Sequence, residues 1–153
     1  MRRKEKEITE KSEIEAVIHN SIVCRVGLAE DNIPYIVPLC YGYRDNTIYV
    51  HGSLEGKKIN ILRKNNNVCF EFDIDVEVLK GKNACEWGMK YESVIGFGKA
   101  FFIDNPEQKR KALNIIMSQY SKNLFQFTDS TIDKTSVIKI EIDSMTGKRS
   151  GFQ

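Results

Sequence analysis

The fold of this chain is decided by residues 22–50, which read IVCRVGLAEDNIPYIVPLCYGYRDNTIYV. Three apolar stretches within it are rich in β-branched and aromatic residues, which predicts strands. These strands cover residues 22–28, 33–41 and 47–50. Between them stand Glu30-Asp31-Asn32 and Arg44-Asp45-Asn46, two clusters that favour turns. Strands joined by such short turns form an antiparallel meander, without the helical crossovers that a parallel sheet requires.

The rest of the chain adds further strands and some helices. Apolar and β-branched runs predict strands at residues 68–73, 92–103 and 137–143. Helices are predicted at residues 9–20, at residues 54–64, and after Asn105, where Asn105 is the cap and Pro106 the first helical residue. Residues 75–90 have no clear period. With about six strands and three helices, we expect a mainly β protein: an antiparallel barrel with peripheral helices.

The composition limits the possible functions. A length of 153 residues suits one domain, residues 1–153. The net charge of +2 argues against a nucleic-acid partner. The basic residues at 2–4 are followed by alternating glutamate and lysine at 5–7, which predicts a solvated arm. No apolar stretch is long enough to span a bilayer, and no side-chain spacing predicts a metal site.

The four cysteines, Cys24, Cys40, Cys69 and Cys85, are widely spaced and form no C-x-x-C pair. Together with the lack of an apolar signal segment, this spacing favours a cytoplasmic location over a disulfide-bonded scaffold. We expect Cys40 and Cys85 to be inert packing residues.

Residues 51–58, HGSLEGKK, stand between a predicted strand and a predicted helix. The N-terminus of a helix favours anions, so Lys57 and Lys58 in the first turn are unfavourable unless a negative group lies there. The small residues Gly52 and Ser53 leave room for such a group. A phosphate would account for all of these features.

A second interpretation of the same residues needs no ligand. Both lysines could extend into water, with Glu55 neutralising one of them and Ser53 capping the helix. Familiar phosphate motifs do not decide the matter, because residues 52–57 are one residue too short for a P-loop. Gly96-Phe97-Gly98 likewise lacks the third glycine of a dinucleotide fingerprint.

Seven short pieces of the sequence, taken in order and spacing, match a known family. They are MRRK at 1–4, PYIVPL at 34–39, HGS at 51–53, EGKK at 55–58, VCFE at 68–71, AC at 84–85 and YESVIGFGKA at 91–100. The chain therefore resembles the FMN-binding split-barrel flavoproteins related to pyridoxamine 5′-phosphate oxidase. Within that superfamily it resembles the nitroimidazole-resistance (Nim-type) branch, over most of its length.

The resemblance implies a split β-barrel and a homodimer that holds FMN at the subunit interface. It implies that one strand lies along the isoalloxazine ring and offers backbone groups to it: Val37, Pro38, Leu39 and Cys40. It also implies a set of residues around the phosphate and the nearby ring: His51, Gly52, Ser53, Lys57 and Lys58. Ser93 and Val94 match a further contact on the phosphate side.

Three side chains of this implied site have two interpretations each. His51 corresponds to a histidine near the reactive flavin, where an imidazole could donate a proton to a reduced nitro group. Alternatively, it orients the ring and takes no part in the chemistry. Trp87 and Tyr91 either cover the flavin or substrate pocket or belong to the core.

The function implied by the resemblance is that of an FMN-dependent oxidoreductase reducing a small acceptor, such as a nitroimidazole or another nitroaromatic compound. The alternative is a non-catalytic protein that stores or senses FMN. Oxidation of pyridoxamine phosphate is not expected, because residues 144–153 lack the Arg-Leu-x-Pro segment of the authentic oxidases. Another flavin or a different phosphate-bearing cofactor also fits, since paired lysines recognise charge and not the ring. We expect a small-molecule substrate and no membrane partner.

Overall fold

The computed structural model describes residues 3–152. Met1 and Arg2 of the basic arm, and Gln153, lie outside the described residues. Within this range there are eight strands and four α-helices. The strands are β1 (Glu7–Ile8), β2 (Cys24–Glu30), β3 (Ile33–Leu39), β4 (Tyr41–Arg44), β5 (Thr47–Gly52), β6 (Asn67–Leu79), β7 (Gly88–Ile103) and β8 (Ser136–Ser150). The helices are α1 (Lys11–Asn20), α2 (Lys57–Lys64), α3 (Pro106–Ser118) and α4 (Asp129–Asp133).

The two predicted turn clusters form tight hairpins. Asp31 and Asn32 have φ angles of 49° and 64° and join β2 to β3, while Asp45 and Asn46, at 51° and 57°, join β4 to β5. Two central residues with positive φ make a type I′ turn, whose twist matches that of the flanking strands. Asp and Asn tolerate this conformation, so the turn prediction is confirmed.

The sheet curls until its two ends meet. Its antiparallel strands follow the order β3-β2-β6-β7-β8-β5-β4, with β1 added to β8. In a flat sheet β3 and β4 would lie six strand spacings apart, roughly 29 Å. They are separated in the chain by Cys40 alone, so the sheet must bend into a barrel that is open between them. The predicted mainly β, antiparallel split barrel is confirmed.

The strand count is eight and not six, for two physical reasons. The predicted strand 33–41 is interrupted at Cys40, where the chain passes from β3 to β4. At the N-terminus, where a solvated arm was expected, residues 4–6 form a 3₁₀ turn and β1 pairs with β8. Ile8 anchors this segment, because only 4% of its surface is exposed.

Residues 75–90, which showed no period, form a two-stranded extension of β6 and β7. Val76, Val78 and Met89 in this extension are exposed. Because neither side of the extension faces the barrel core, its sequence has no reason to alternate between apolar and polar residues.

The core fills the barrel and continues under the helices. Its largest fully buried side chains include Tyr41, Phe70, Phe72, Ile48 and Ile140. Helices α1 and α2 pack against this core, and a second cluster lies beneath α3 and α4. The predicted cap of α3 is confirmed, since the Asn105 side chain accepts the Gln108 N–H at 3.0 Å. Within residues 3–152, no helix is both long and apolar enough to cross a membrane.

Candidate functional site

The start of α2 is an open helix N-terminus. Gly56 stands at the N-cap with a φ of 126°, a conformation that favours glycine, and it has no side chain to cap the first turn. The Ser53 hydroxyl does not cap the helix, because it donates to the backbone oxygen of Glu55. The first turn contains no acidic residue. Its backbone N–H groups therefore remain available to an anion.

Lys58 extends back from this turn over the end of β5. Its ammonium nitrogen donates to the backbone oxygen of His51 at 3.3 Å. A Cβ atom on Gly52 would lie only 2.7 Å from that nitrogen, so the missing side chain makes the contact possible. Lys58 is half-buried, and burial lowers its pKa. A partly desolvated ammonium gains more from a bound anion than one in free solvent does.

Lys57 is held on the other side of the turn. Its ammonium lies 4.5 Å from the centre of the Tyr35 ring on β3, a cation–π contact. In the described part of the chain, Glu55 forms no ion pair with Lys57 or Lys58. The ligand-free interpretation needed that ion pair and a cap from Ser53, and neither contact is formed.

The end of β3 adjoins the same place. Tyr41, the first residue of β4, pairs with Val50 on β5, so Cys40 lies beside the end of β5 that carries His51. Val37 and Leu39 pack towards the core, whereas Pro38 and Cys40 are exposed. Among the described strands β3 pairs only with β2. Alternate backbone groups of β3 therefore face an open edge, as the expected ring contact requires.

We call this surface the α2 cradle: the end of β3 (residues 35–40), residues 51–53 at the end of β5, and residues 56–58 at the start of α2. It gathers nine of the eleven expected cofactor residues within one chain. Tyr35 belongs to it because it holds Lys57, and the sequence analysis did not single it out. Its only sequence signal was its place in the PYIVPL stretch.

Ser93 and Val94 lie apart from the α2 cradle within one chain. Val94 is fully buried in the core, so its side chain cannot contact a ligand outside the barrel. Ser93 faces the other way and pairs with Asp73 on β6, which contacts Arg25 on β2. Ser93 pairs with Lys148 on β8, whereas Gly52 of the α2 cradle pairs with Ser136, twelve residues earlier on the same strand.

The imidazole of His51 has a lowered pKa. The residue is exposed, yet enough protein surrounds its ring that desolvation disfavours the charged form, and the Lys58 ammonium adds to the effect. The ordinary value is 6.5. At neutral pH His51 is therefore mainly uncharged and better suited to accept a hydrogen bond than to donate a proton.

Two predictions about side-chain burial need correction, and one of the two interpretations of Trp87 is excluded. Cys40 and Cys85 are exposed and not packed, because Cys40 lies at the link between two strands and Cys85 in a surface turn. Trp87 is 52% exposed, which excludes a core position. Tyr91 is half-buried, with the Lys148 ammonium over its ring.

Comparison with known proteins adds three findings. A family model described as pyridoxamine 5′-phosphate oxidase matches residues 10–149. A crystal structure of a proposed 5-nitroimidazole antibiotic resistance protein from Bacteroides thetaiotaomicron is 38% identical, with a TM-score of 0.84. The match covers 93% of this chain and 85% of that one. No curated protein matches this chain at a significant level.

More distant structures share the fold alone. A flavocytochrome from Azotobacter vinelandii is 17% identical with a TM-score of 0.87, over 99% of this chain and 72% of that one. A FAD and heme binding protein from Mycobacterium smegmatis is 19% identical with a TM-score of 0.86, over 96% and 75%. The barrel therefore persists at identities where residue roles cannot be transferred.

Proposed function

The chain belongs to the pyridoxamine 5′-phosphate oxidase family, and from that premise we propose that it is an FMN-dependent oxidoreductase that reduces a small acceptor such as a nitroimidazole or another nitroaromatic compound. The observation that carries this proposal is the α2 cradle. It combines an uncapped helix N-terminus with two lysines in the first turn, beside an open strand edge.

The residues of the α2 cradle fit a flavin phosphate. Because Gly52 has no side chain, the Lys58 ammonium can lie beside it. The first turn of α2 has no carboxylate that would repel a phosphate or pair with the lysines in its place. Lys57 and Lys58 would neutralise the phosphate, and the first N–H groups of α2 would donate to its oxygens. The free edge of β3 would hydrogen-bond the polar edge of the ring.

FMN, when bound, would supply the electron-transfer chemistry. The protein's own part would be to hold the phosphate, to orient the ring along β3 and to place His51 near the acceptor. Because the His51 imidazole is mainly neutral without ligand, we favour an orienting role for it over proton donation. A bound phosphate next to Lys58 would raise the His51 pKa again, since it offsets the nearby positive charge.

We further propose a homodimer with FMN at the subunit interface. The outer face of the barrel carries large exposed apolar side chains, among them Ile36 on β3 and Ile95 and Phe97 on β7. Gly27 and Cys69 fill the row between Ile36 and Phe97, so these residues form one apolar stripe across four strands. An exposed stripe of this kind is typical of a protein–protein contact.

Titration of the purified protein with FMN, followed by visible absorbance and flavin fluorescence, tests cofactor binding. The Lys57→Gln, Lys58→Gln double variant should bind FMN about thirtyfold more weakly, which corresponds to roughly 2 kcal/mol for one half-buried and one exposed cation. Lys64→Gln, at the opposite end of α2, is the matched control. If the wild type, the double variant and the control bind FMN with equal affinity, the α2 cradle does not bind the phosphate.

Steady-state turnover then separates an enzyme from a protein that only stores or senses flavin. The FMN-loaded protein is given a reductant and a nitroimidazole, and its rate is compared with that of the same concentration of free FMN. A rate above that of free FMN supports the reductase. A rate equal to that of free FMN would contradict the proposed reductase activity for that acceptor. It would not contradict flavin binding.

A further inference from the structure

A second cavity lies on the outer side of β5 and uses side chains other than those of the α2 cradle. It is an open cavity with a volume of about 430 Å³, lined by residues of β4, β5, β7, β8 and α3. Small-molecule sites in proteins have volumes of about 300–1,000 Å³. None of its lining residues belongs to the α2 cradle, so the two surfaces are built from separate side chains.

The floor of this cavity is apolar. Tyr49 contributes a half-buried aromatic ring, and Ile103 and Ile115 contribute side chains that are each 8% exposed. Phe102 also borders the cavity, but its side chain lies on the other face of β7 and packs on the barrel core. A flat apolar ligand would gain free energy by burying its surface on such a floor. A small hydrated ion would find no hydrogen-bond partner there. An inorganic anion alone would leave the floor uncovered.

The rim of the cavity is positively charged. Arg44 and Lys111 are exposed there, and within residues 3–152 neither has a carboxylate within 4.0 Å. Lys139 also lines the cavity and is paired with Glu141. Asp104 is the single carboxylate among the described lining residues. Because Glu141 neutralises Lys139, Arg44 and Lys111 face one remaining carboxylate, Asp104, and the rim keeps a positive excess that favours an anion.

We propose that this cavity, the β5–α3 cavity, binds a small organic anion with a flat apolar body, of the aromatic carboxylate class. The flat body would lie on the Tyr49 ring beside Ile103 and Ile115, and the carboxylate would meet Arg44 and Lys111. Arginine is suited to this role because its planar guanidinium can hold a carboxylate with two hydrogen bonds. The site needs no flavin, so this proposal can be tested whether or not the protein binds FMN.

Isothermal titration calorimetry of the full chain with 1-naphthoate tests the proposal. We expect saturable one-to-one binding, no binding of the neutral 1-naphthamide, and no competition by inorganic phosphate. Arg44→Gln with Lys111→Gln should weaken naphthoate binding at least about tenfold. Lys134→Gln, an exposed lysine outside the cavity, is the matched control. Both altered side chains are exposed, so the double variant should unfold at the same temperature as the wild type.

Testing each double variant with the ligand of the other site shows whether the two sites are independent. The Arg44, Lys111 variant should bind FMN as the wild type does, and the Lys57, Lys58 variant should bind naphthoate as the wild type does. The proposal is overturned if naphthoate does not bind, if the Arg44, Lys111 variant binds it unchanged, or if phosphate displaces it. Loss of naphthoate binding in the Lys57, Lys58 variant would also overturn it, because the anion would then occupy the α2 cradle.

Discussion

Gly52 and Lys58 are complementary: the Cβ atom that Gly52 lacks would lie 2.7 Å from the Lys58 ammonium nitrogen. The contact ties the end of β5 to the first turn of α2. It also explains why a glycine stands at a strand position where the backbone conformation does not demand one.

Gly52→Ala should therefore weaken FMN binding. The new methyl group would displace the Lys58 ammonium, and we expect a loss of about tenfold in affinity, in the range of one charge-assisted hydrogen bond. Stability should change little, because the displaced atom is the end of a flexible side chain. Flavin titration and thermal unfolding measure the two effects. Gly88→Ala is the control, since a Cβ there meets nothing within 4 Å; equal FMN affinity of the two variants would contradict the prediction.

The pKa of the His51 imidazole should lie below 6.5 in the flavin-free protein and rise when FMN or phosphate binds. Proton NMR titration measures it, and the His51→Gln variant identifies its signal against that of His19. A pKa unaffected by either ligand would show that the phosphate does not lie near Lys58.

The same shift predicts how stability depends on pH. Because the folded state holds the His51 proton less tightly than the unfolded state does, the unfolded chain binds more protons below about pH 6.5. Protonation of His51 therefore favours the unfolded state, so the free energy of unfolding decreases as the pH falls below that value. Well above that pH, His51 has no effect on stability. In urea unfolding at pH 7.5 and 5.5, His51→Gln should lose less stability on acidification than the wild type.

Phe97→Asp should convert the proposed dimer into a monomer. The substitution places a charge in the middle of the apolar stripe, and Phe97 is already 57% exposed, so the single chain should remain folded. Light scattering after size-exclusion chromatography gives the mass. Leu124→Asp, at a residue 92% exposed in the loop after α3, is the control. Dimers in both variants would mean that the subunits meet elsewhere.

Gly42→Ala should destabilise the protein by about 3 kcal/mol. A Cβ at this position would lie 2.4 Å from the backbone oxygen of Ile115, so α3 would have to move away from β4. Backbone atoms cannot give way as a flexible side chain can. Urea unfolding measures the loss, and a value within 0.5 kcal/mol of the wild type, roughly that of a neutral surface change, would refute the close approach.

The protein should not form pyridoxal phosphate from pyridoxamine phosphate. Residues 144–150, where the authentic oxidases would be expected to carry their Arg-Leu-x-Pro segment, belong to β8 and pair with β7. Absorbance of the pyridoxal product in the presence of FMN and oxygen measures the reaction. Product formation above that with free FMN would overturn this prediction.

The predictable parts of the fold were those with local signals. Asp31-Asn32 and Asp45-Asn46 reveal their turns by composition, and Asn105-Pro106 reveals the start of α3, because each feature depends on neighbouring residues only. The extension around Val76 and Met89 could not be predicted, since it lies outside the core and carries no alternation. The two-residue strand β1 depends on a partner about 140 residues later in the chain.

The candidate site was predictable in part for the same reason. HGSLEGKK is a local strand-to-helix connection, so the sequence predicted a helix with both lysines near its start. The helix begins at Lys57 and not at residue 54, and the sequence did not decide whether Ser53 caps it. The contact between Lys57 and Tyr35 joins helix α2 to strand β3, which are distant in sequence, so no local pattern predicts it. Ser93 was expected beside the phosphate, but within one chain it pairs near one end of β8 while Gly52 pairs at the other end. The exposure of Cys40 depends on where the barrel opens, which composition does not encode.

The position of β8 has a consequence for how the protein is made. It is the last strand along the described chain, yet it lies between β7 and β5 and also pairs with β1. During synthesis on a ribosome, the residues of the α2 cradle emerge early, but β5 and β7 have no partner between them until β8 follows. Until then they present unpaired edges, a state prone to aggregation. The barrel therefore cannot close until β8 has been synthesised, so a chain that stops before β8 keeps these two edges exposed.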